Sequence, residues 1–551
     1  MKVRERVRKV AKWIVTCAWP YVNFIPHLGT MIGSVLSADV VARFLRMNGE
    51  DVVFVSGSDE HGTPIEVEAI KRGVDPKKLC DENHAKIVEL FNRWGISFDN
   101  YTRTESSYHK KFVRDFYMKV YENGYIYEEE VELPFCPRCG IFLPDRFIVG
   151  SCPYCGFEDA RGDQCDSCGR LLEPAKLVNP KCAICGSKPE FRRTKHWFFD
   201  LPKLSAELEK YVKNAPFLTE NARNTSLSMI REGLKPRSLT RDNKWGIPAP
   251  FPGAEGKTIY VWMEAVLGYI SATIEHFALR GERDKWKEYW LSEDCRFLCF
   301  IGKDNIPFHT LILPALLMAS RGGYVLPWGV SATEYLLFEG QKFSKSRRIG
   351  VWIDEALAMY PVDYWRYVLL SLRPEGRDVS FSWSTFKELV NTHLNDTLGN
   401  FVHRVLSFTY RFFEAKVPHP SDEWSKEYAW TQVLEKHGEC TEKLYSFRIR
   451  DALNDVMSIA REGNKYLNEK APWLSVRDGD LKGASTHLYV CLNVVKALSV
   501  MLAPFIPTTA DQMWSMLGLE GSVHQARWHE ALTPLTPGRS IAKPRPLFKK
   551  V

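Results

Sequence analysis

The chain has 551 residues, of which 45% are hydrophobic, 26% charged and 13% aromatic, and its formal net charge is +7. This composition excludes a disordered or fibrous protein, the length predicts three or more domains, and the small positive charge permits a polyanionic partner without indicating one. No run of about 18 apolar residues occurs, and the basic start lacks a small-residue cleavage site, so we expect a cytoplasmic protein without a membrane span.

The first predicted elements form a strand, a helix and a second strand. Residues 12–19 are typical of a strand, residues 31–47 carry apolar side chains at helical spacing, and a second strand begins at Asp51. Such a unit has parallel strands and a right-handed crossover. The apolar helix face contains Ile32, Val35, Leu36, Val40 and Phe44.

The rest of the chain changes pattern several times. Strand and helix patterns return near Lys257 and Arg296, whereas amphipathic helical stretches without strands follow residue 385. The predicted fold class is therefore α/β: a doubly wound, Rossmann-like parallel-sheet catalytic domain with an inserted module and a C-terminal helical bundle. The predicted regions are 1–120 and 236–330 (catalytic halves), 121–235 (insertion), 331–384 (basic-loop region), 385–530 (bundle) and 531–551 (tail).

Three polar loops follow predicted strands. They are CAWPYVNFIPHLGT at 17–30, SDEHGTP at 58–64 and EGQKFSKSRRIG at 339–350. The carboxyl edge of a parallel sheet, next to helix N-termini, is where such folds bind nucleotides. Taken alone, His27 is more often a packed or capping residue, and a KFSKS loop is most often a solvated basic surface. Their order in one chain indicates loops directed at phosphate or carboxylate groups.

The insertion contains a metal-binding pattern. Eight of the fourteen cysteines form four Cys-x-x-Cys pairs. Each pair supplies two thiolates from a tight turn, so two pairs complete a closed tetrahedral site, and four predict two structural zinc ions. Surface thiols or redox disulfides are the alternative. The eight residues are Cys136, Cys139, Cys152, Cys155, Cys165, Cys168, Cys182 and Cys185, whereas Cys17, Cys80, Cys295, Cys299, Cys440 and Cys491 are expected to be buried.

Several motifs together resemble one enzyme family. PHLGT and KFSKS resemble the HIGH and KMSKS signatures of class I aminoacyl-tRNA synthetases. CAWPY, GSDEHGTP, YVWMEAVLGY, FIGKDNIPFH, the cysteine pairs and NEKAPW resemble the methionyl-tRNA synthetases, in the same order and over nearly the whole chain. Thr30 departs from the His or Asn that is common at the fourth HIGH position. The resemblance implies that methionine and ATP, with Mg²⁺, form methionyl-adenylate and pyrophosphate, and that the methionyl group then passes to tRNA(Met).

The resemblance also implies roles for individual residues. Asp59 would pair with the methionine ammonium and Arg241 with its carboxylate, while Gly302 and Asp304 would face the ribose of ATP. It further implies nested zinc sites, with the two middle cysteine pairs in the inner one. The implied residues are His27, Thr30, Lys342 and Lys345 for catalysis; these four with Gly29, Gly302, Asp304 and Ser344 for ATP; Trp19, Tyr21, Asp59, Arg241, Trp262, Ala265, Tyr269 and His309 for methionine; and Asn391, Asn395 and Trp473 for the anticodon.

Other interpretations stay open at this point. Without the family pattern, Trp19, Trp262 and Tyr269 are more typical of a hydrophobic core, and bundle packing is the alternative for Trp473. Another synthetase for an apolar amino acid, or a nucleotidylyltransferase, would use the same His-x-Gly chemistry. A zinc-containing RNA-binding protein with an inactive core is the alternative outside enzymes. Because no appended dimerising domain is apparent after the bundle, we expect a monomer.

Overall fold

A six-stranded parallel sheet forms the centre of the catalytic domain. The computed structural model describes residues 10–143, 147–162, 165, 167–168, 170, 172, 174–344 and 348–551, so Lys345 lies outside the described residues. Every neighbouring pair of strands in this sheet is parallel. In spatial order the strands are Phe217–Leu218, Pro327–Thr333, Cys295–Gly302, Lys12–Cys17, Asp51–Ser58 and Asn100–Arg103.

The strand order confirms the predicted doubly wound sheet. From Lys12–Cys17 the first half of the chain builds outward in one direction, and Cys295–Gly302 begins the second half on the other side. The switch point between these two strands is where such sheets bind ligands. Helices of this domain are Thr63–Arg72, Pro76–Arg93, Ser107–Glu122, Val261–Ala265, Gly268–Leu279, Lys287–Trp290 and Leu313–Ala319, the last preceded by a π-helical turn at Phe308–Ile312.

The first helix begins earlier than the apolar pattern predicts. It runs from Leu28 to Met47, with a π-helical turn at Met31–Val35, and the first strand ends at Cys17 rather than at residue 19. The five predicted apolar positions are all fully buried, which confirms the helix face. The early start follows from His27, whose side chain caps the first turn by accepting from the Thr30 amide.

The insertion is carried on a long antiparallel ribbon. Its two strands, Ile126–Cys136 and Glu190–Phe199, pair along ten positions from Ile126 opposite Phe199 to Phe135 opposite Glu190. The cysteine-rich segment lies between the far ends of these strands. It contains the short strands Ile141–Phe142, Ile148–Ser151, Ala160–Arg161 and Val178–Cys182. The chain then continues through the helices Ser205–Asn214 and Glu220–Arg231, and the strand between them, Phe217–Leu218, joins the catalytic sheet although it lies within the predicted insertion 121–235.

Short strands and two helices connect the catalytic domain to the bundle. The KFSKS region contributes a three-stranded sheet in which Leu336–Phe338 is the central strand. The other elements of this connection are the strands Gln341–Lys342 and Val379–Phe381 and the helices Ile353–Met359 and Val362–Ser371. Earlier in the chain, Arg237–Ser238 pairs with the ribbon strand Glu190–Phe199, and Thr240–Arg241 pairs with Thr258–Ile259.

The C-terminal third is helical, as predicted. Among the residues that the structure describes, two helices, Leu28–Met47 and Leu481–Leu502, are long and apolar enough to cross a membrane, but 78% and 89% of their apolar windows are buried within the protein, as in core helices. The bundle helices are Trp383–Glu388, Asn400–Phe412, Tyr428–Tyr445, Ile449–Lys470, Pro472–Arg477, Leu481–Leu502 and Pro507–Met516, with a π-helical segment at Leu389–Gly399.

A buried arginine joins three regions of the fold. Arg366, which is fully buried in the helix Val362–Ser371, donates to the Asp39 carboxylate at 2.7 Å, to the Trp94 carbonyl at 3.2 Å and to the Phe505 carbonyl at 2.8 Å. Asp39 and Trp94 belong to the catalytic half and Phe505 to the bundle. These contacts hold the bundle against the helix that begins at His27.

Candidate active site

One cavity of about 500 Å³ opens at the switch point of the sheet. It brings together residues that are separated by more than 300 positions in the chain, from both signature loops and both halves of the catalytic domain. The predicted site residues that line it are Trp19, Tyr21, His27, Gly29, Thr30, Asp59, Trp262, Ala265, Tyr269, Gly302, Asp304, His309 and Lys342.

The PHLGT turn and the KFSKS loop are in direct contact. The His27 ring stacks on Phe343 with ring centroids 4.6 Å apart and planes inclined by 14°. The Leu28 amide donates to the Val351 carbonyl at 3.1 Å, and a Cβ on Gly29 would lie 3.1 Å from the His27 ring. Glycine at position 29 therefore lets the ring pack closely on the start of the helix, where the positive end of the helix dipole favours a phosphate.

Aromatic side chains form the deeper part of the cavity. Trp19 meets Tyr269 edge to face at 6.3 Å, and Trp262 meets Phe308 edge to face at 4.9 Å. A Cβ on Gly268 would lie 2.5 Å from the Trp19 ring, so this glycine makes room for the indole. The result is an uncharged pocket with ring edges available to an apolar or thioether group.

His309 is a neutral hydrogen-bond acceptor at this aromatic wall. Its Nδ1 lies 3.0 Å from the Asn305 carbonyl, to which it must donate, so Nε2 accepts from the Tyr269 hydroxyl at 2.8 Å. Burial lowers the pKa of His309 to about 4 and raises the pKa of Tyr269 above its ordinary value. Neither side chain carries charge at neutral pH.

Asp59 places a buried carboxylate in the cavity wall. Its amide donates to the Pro20 carbonyl at 2.9 Å, which fixes the second strand end against the CAWPY turn. Only 3% of Asp59 is exposed, and its Oδ1 has no hydrogen-bond partner among the described residues. Burial first, and then the neighbouring Glu264 carboxylate, raise the pKa of Asp59 well above its ordinary value. A buried carboxylate in this state is poised to receive a cationic ligand group.

The opposite end of the cavity is polar. The Tyr335 hydroxyl donates to Asp304, and both Lys303 and Lys342 lie over the Tyr335 ring, at 4.0 and 4.8 Å from its centroid. Lys303 is held by ion pairs to Glu334 and Asp378 at 2.6 and 2.8 Å. Lys342 makes the cavity's polar end suitable for phosphate groups.

Two predicted site residues are placed outside the cavity lining. Arg241 stacks on the Tyr260 ring at 4.0 Å and donates to backbone carbonyls of residues 238 and 240. Ser344 pairs with Ile349 through two backbone hydrogen bonds of 2.9 Å, which close the KFSKS loop.

Sequence reasoning missed several cavity residues. Phe343, Tyr335 and Phe308 line the cavity but were not singled out. Phe343 lies inside the KFSKS motif and Phe308 inside FIGKDNIPFH, so the motifs already contained the signal. Tyr335 follows the carboxyl end of the strand Pro327–Thr333, which in a parallel sheet is a ligand-facing position.

The eight paired cysteines form two groups of four. Within each group the sulfur atoms lie within 4.8 Å of one another. The Sγ–Sγ distances are 3.4 Å for Cys136–Cys185, 3.9 Å for Cys139–Cys182, 3.9 Å for Cys152–Cys168 and 3.6 Å for Cys155–Cys165. A metal–sulfur distance of about 2.3 Å gives tetrahedron edges of about 3.8 Å. The groups fit zinc in the predicted nested pairing, and the six other cysteines are buried as expected.

The predicted anticodon residues have different surroundings. Trp473 is 38% exposed, with the Arg404 guanidinium 5.4 Å from its ring, and Arg404 also donates to Asn468 at 2.8 Å. The Asn391 amide both donates to and accepts from the backbone of Val551. The Asn395 amide donates to the neighbouring Asp396 carboxylate at 2.8 Å. Arg404 is not among the predicted residues, and it follows Asn395 by nine positions in the chain.

Comparisons with known proteins agree along the whole chain. A family model described as "tRNA synthetases class I (M)" matches residues 13–406, and one described as "Anticodon binding domain of methionyl tRNA ligase" matches residues 417–551. The methionine–tRNA ligase of Thermofilum pendens is 60% identical over 541 residues, covering 98% of this chain and 95% of the relative. That of Pyrobaculum aerophilum is 55% identical over 543 residues, with the same coverage.

A solved structure supports the same assignment. Mycobacterium tuberculosis methionyl-tRNA synthetase in complex with methionyl-adenylate superimposes with a TM-score of 0.81 at 25% identity, covering 98% of this chain and all of that one. The match includes the sheet, the insertion and the bundle, since nearly the full length of both chains is covered. On these grounds the chain belongs to the methionyl-tRNA synthetases, within the class I aminoacyl-tRNA synthetases.

Proposed function

We propose that the cavity at the switch point is where this chain joins methionine to ATP, before it transfers the methionyl group to tRNA(Met). The observation that carries the proposal is the pairing, in one cavity, of a buried carboxylate whose Oδ1 has no hydrogen-bond partner among the described residues and a wall of aromatic edges. Free methionine needs both features, because it has an ammonium group at one end and a polarizable thioether at the other.

Methionine binds with its ammonium on Asp59 and its side chain among Trp19, Trp262 and Tyr269. The neutral His309–Tyr269 pair keeps this wall uncharged. Ala265 is 9% exposed at the same wall and leaves room for an unbranched side chain. Arg241 was predicted to hold the substrate carboxylate, and in the substrate-free structure it stacks on Tyr260 instead. Its role remains a prediction that requires the side chain to turn.

ATP binds with its phosphates over the start of the helix at Leu28. The methionine carboxylate oxygen attacks the α-phosphorus, the bond to the bridging oxygen breaks, and pyrophosphate leaves with Mg²⁺, which enters as part of the ATP substrate. His27, Thr30 and Lys342 donate to the phosphates as charge moves to the leaving group. Gly302 and Asp304 face the ribose. The sequence assigns Lys345 and Ser344 to the same loop, and Lys345 lies outside the described residues.

The two cysteine groups hold structural zinc. Four thiolates complete the coordination of each ion, so no position is left for substrate, and the ions stabilise the module between the ribbon strands. The exposed Trp473 stacks on an unpaired anticodon base, and Arg404 beside it supplies positive charge for the RNA backbone. The monomeric state and the cytoplasmic location stay predictions from the sequence.

The test is ATP–pyrophosphate exchange with each amino acid in turn, followed by charging of tRNA(Met). We expect exchange that depends on methionine and is at least 100-fold weaker with leucine, isoleucine or valine, because these side chains lack the polarizable sulfur and its shape. Exchange that is stronger with another amino acid would indicate a synthetase of different specificity. Nucleotide transfer without any amino acid would indicate a nucleotidylyltransferase.

A further inference from the structure

A buried histidine lies between two carboxylates directly behind the cavity. His61 is fully buried; its Nδ1 lies 2.5 Å from Glu264 and its Nε2 lies 2.7 Å from Glu105. An imidazole ring that meets a carboxylate oxygen at each nitrogen must donate at both, so it carries two protons and a positive charge. Burial alone would lower the pKa of His61, but Glu264 and Glu105 raise it to about 10.

We infer that His61 is a positioning residue for methionine: as a buried cation between Glu264 and Glu105, it offsets the charge of Glu264 and keeps Asp59 available as a carboxylate for the substrate ammonium. The inference rests on the proposed role of Asp59. His61 follows Asp59 by two residues in SDEHGTP and does not line the cavity, so it acts through Asp59 rather than on the substrate.

The charges around Asp59 explain why such a cation is needed. Glu264 is fully buried, and its Oε2 has no hydrogen-bond partner among the described residues. Glu264 acts on Asp59 as a like charge and raises its pKa, whereas His61 is the neighbouring cation that lowers it. Without His61, two buried carboxylates would compete for one proton.

Two further ion pairs lie beside this cluster. Lys110 forms an ion pair with Glu105 at 2.5 Å, and Arg103 forms one with Glu60 at 2.7 Å. His109, beside Trp19, is neutral, since burial lowers its pKa to about 3. The cluster has three carboxylates, on Asp59, Glu264 and Glu105, and two cations, on His61 and Lys110. Their charges sum to one net negative charge, which one ammonium group would balance. The groups that face His61 or Asp59 are Glu60, Glu105, Glu264, His109 and Lys110.

The experiment is the pH dependence of the methionine KM in pyrophosphate exchange, between pH 5.5 and 8.5 at saturating ATP. In wild type the KM rises on the acid side as Asp59 takes up a proton. We expect His61→Gln to move this rise about one pH unit toward neutral pH, so that the KM is about tenfold higher on the acid side while kcat changes less than the KM.

Two further variants keep the test independent of folding. Glu264→Gln retains an acceptor oxygen for His61 but removes the like charge, so we expect the rise to move to lower pH, opposite to His61→Gln. In the double variant that combines Glu264→Gln with His61→Gln, the rise in KM should move back toward its wild-type pH. His276→Gln is the control, because this buried histidine of the same domain faces the Asp99 carbonyl and no carboxylate of the cluster. It should leave the profile unchanged.

Each outcome separates this inference from the proposed function. If Asp59→Asn raises the methionine KM but neither His61→Gln nor Glu264→Gln moves the pH profile, the inference is wrong and the proposed pocket stands. A uniform rise in KM at every pH for His61→Gln would show a structural role only. If Asp59→Asn leaves the methionine KM unchanged, Asp59 does not bind the ammonium, and both the pocket and the inference are overturned.

Discussion

At the scale of single residues, the His27–Phe343 stack connects the two signature loops and leads to a kinetic prediction. His27→Ala should lower the rate of adenylate formation by about 100-fold, because it removes a donor that acts on the charge leaving with pyrophosphate. The methionine KM should change little, since His27 lies at the polar end of the cavity. Thr30→Ala should lower the rate by tenfold or less, as the loss of one neutral hydrogen bond does. Single-turnover formation of methionyl-adenylate measures both variants.

An equal loss of rate and methionine affinity in His27→Ala would contradict this assignment. The matched control is His276→Ala, which removes a histidine of the same domain that does not line the cavity. It should leave the rate unchanged in the folded protein.

Single residues also show how far sequence can predict a site. Asp59 and Trp19 could be placed because each stands in a loop directly after a strand, and topology brings such loops to one edge. Phe343 could not be placed on His27, because no local pattern links positions more than 300 residues apart. Asn391 was assigned to the anticodon, yet its amide is occupied by the Val551 backbone. Hydrogen bonds to distant main chain leave no trace in a motif.

At the scale of elements, the cysteine module gives a prediction about metal content. Cys152→Ser combined with Cys155→Ser should leave one zinc per chain, because it removes two ligands from one group and none from the other. Metal analysis of the purified chain, with wild type at two zinc ions, measures this. Cys136→Ser with Cys139→Ser is the reciprocal variant and should also leave one ion. Loss of both ions in the first variant would show that the two groups are not independent.

The exposed tryptophan of the bundle gives a second prediction at this scale. Trp473→Ala should lower tRNA charging by one to two orders of magnitude, because stacking on a base contributes about 1 to 3 kcal/mol. Pyrophosphate exchange needs no tRNA and should remain nearly unchanged. Leu434→Ala, on another bundle helix and similarly exposed at 44%, is the control and should affect neither reaction. Equal losses in charging and exchange, with a lower melting temperature, would make Trp473 a packing residue.

At the scale of the whole molecule, Arg366 ties the catalytic half to the bundle. Arg366→Met should lower the free energy of unfolding by about 3 to 5 kcal/mol, because it leaves the buried Asp39 carboxylate with only Arg43 as a cationic partner. Burial would raise the pKa of Asp39, but Arg43 and Arg366 lower it well below its usual range.

The sign of the pH effect follows from that shift. A carboxyl group whose pKa is depressed by folding stabilises the fold above its unfolded pKa of about 3.9 and loses this contribution as the pH falls further. Wild type should therefore lose stability below about pH 4 more steeply than Asp39→Asn combined with Arg366→Met. Thermal unfolding at pH 3 and pH 7 compares the two. If the melting temperatures of the two proteins differ by the same amount at pH 3 and at pH 7, the role of the Asp39–Arg366 pair is contradicted.

The nested arrangement of the cysteine groups sets an order of assembly. The facing knuckles of the inner group are only 10 residues apart at Cys155 and Cys165, whereas those of the outer group are 43 apart at Cys139 and Cys182. Closing the longer loop costs about 1 kcal/mol more in chain entropy, and much of that loop is already drawn together once the inner ion is bound. During synthesis the ribosome also releases all four inner cysteines before the last two of the outer group, Cys182 and Cys185. Metal capture should therefore proceed from the inside outward, so that a cell short of zinc would accumulate chains with the inner ion alone.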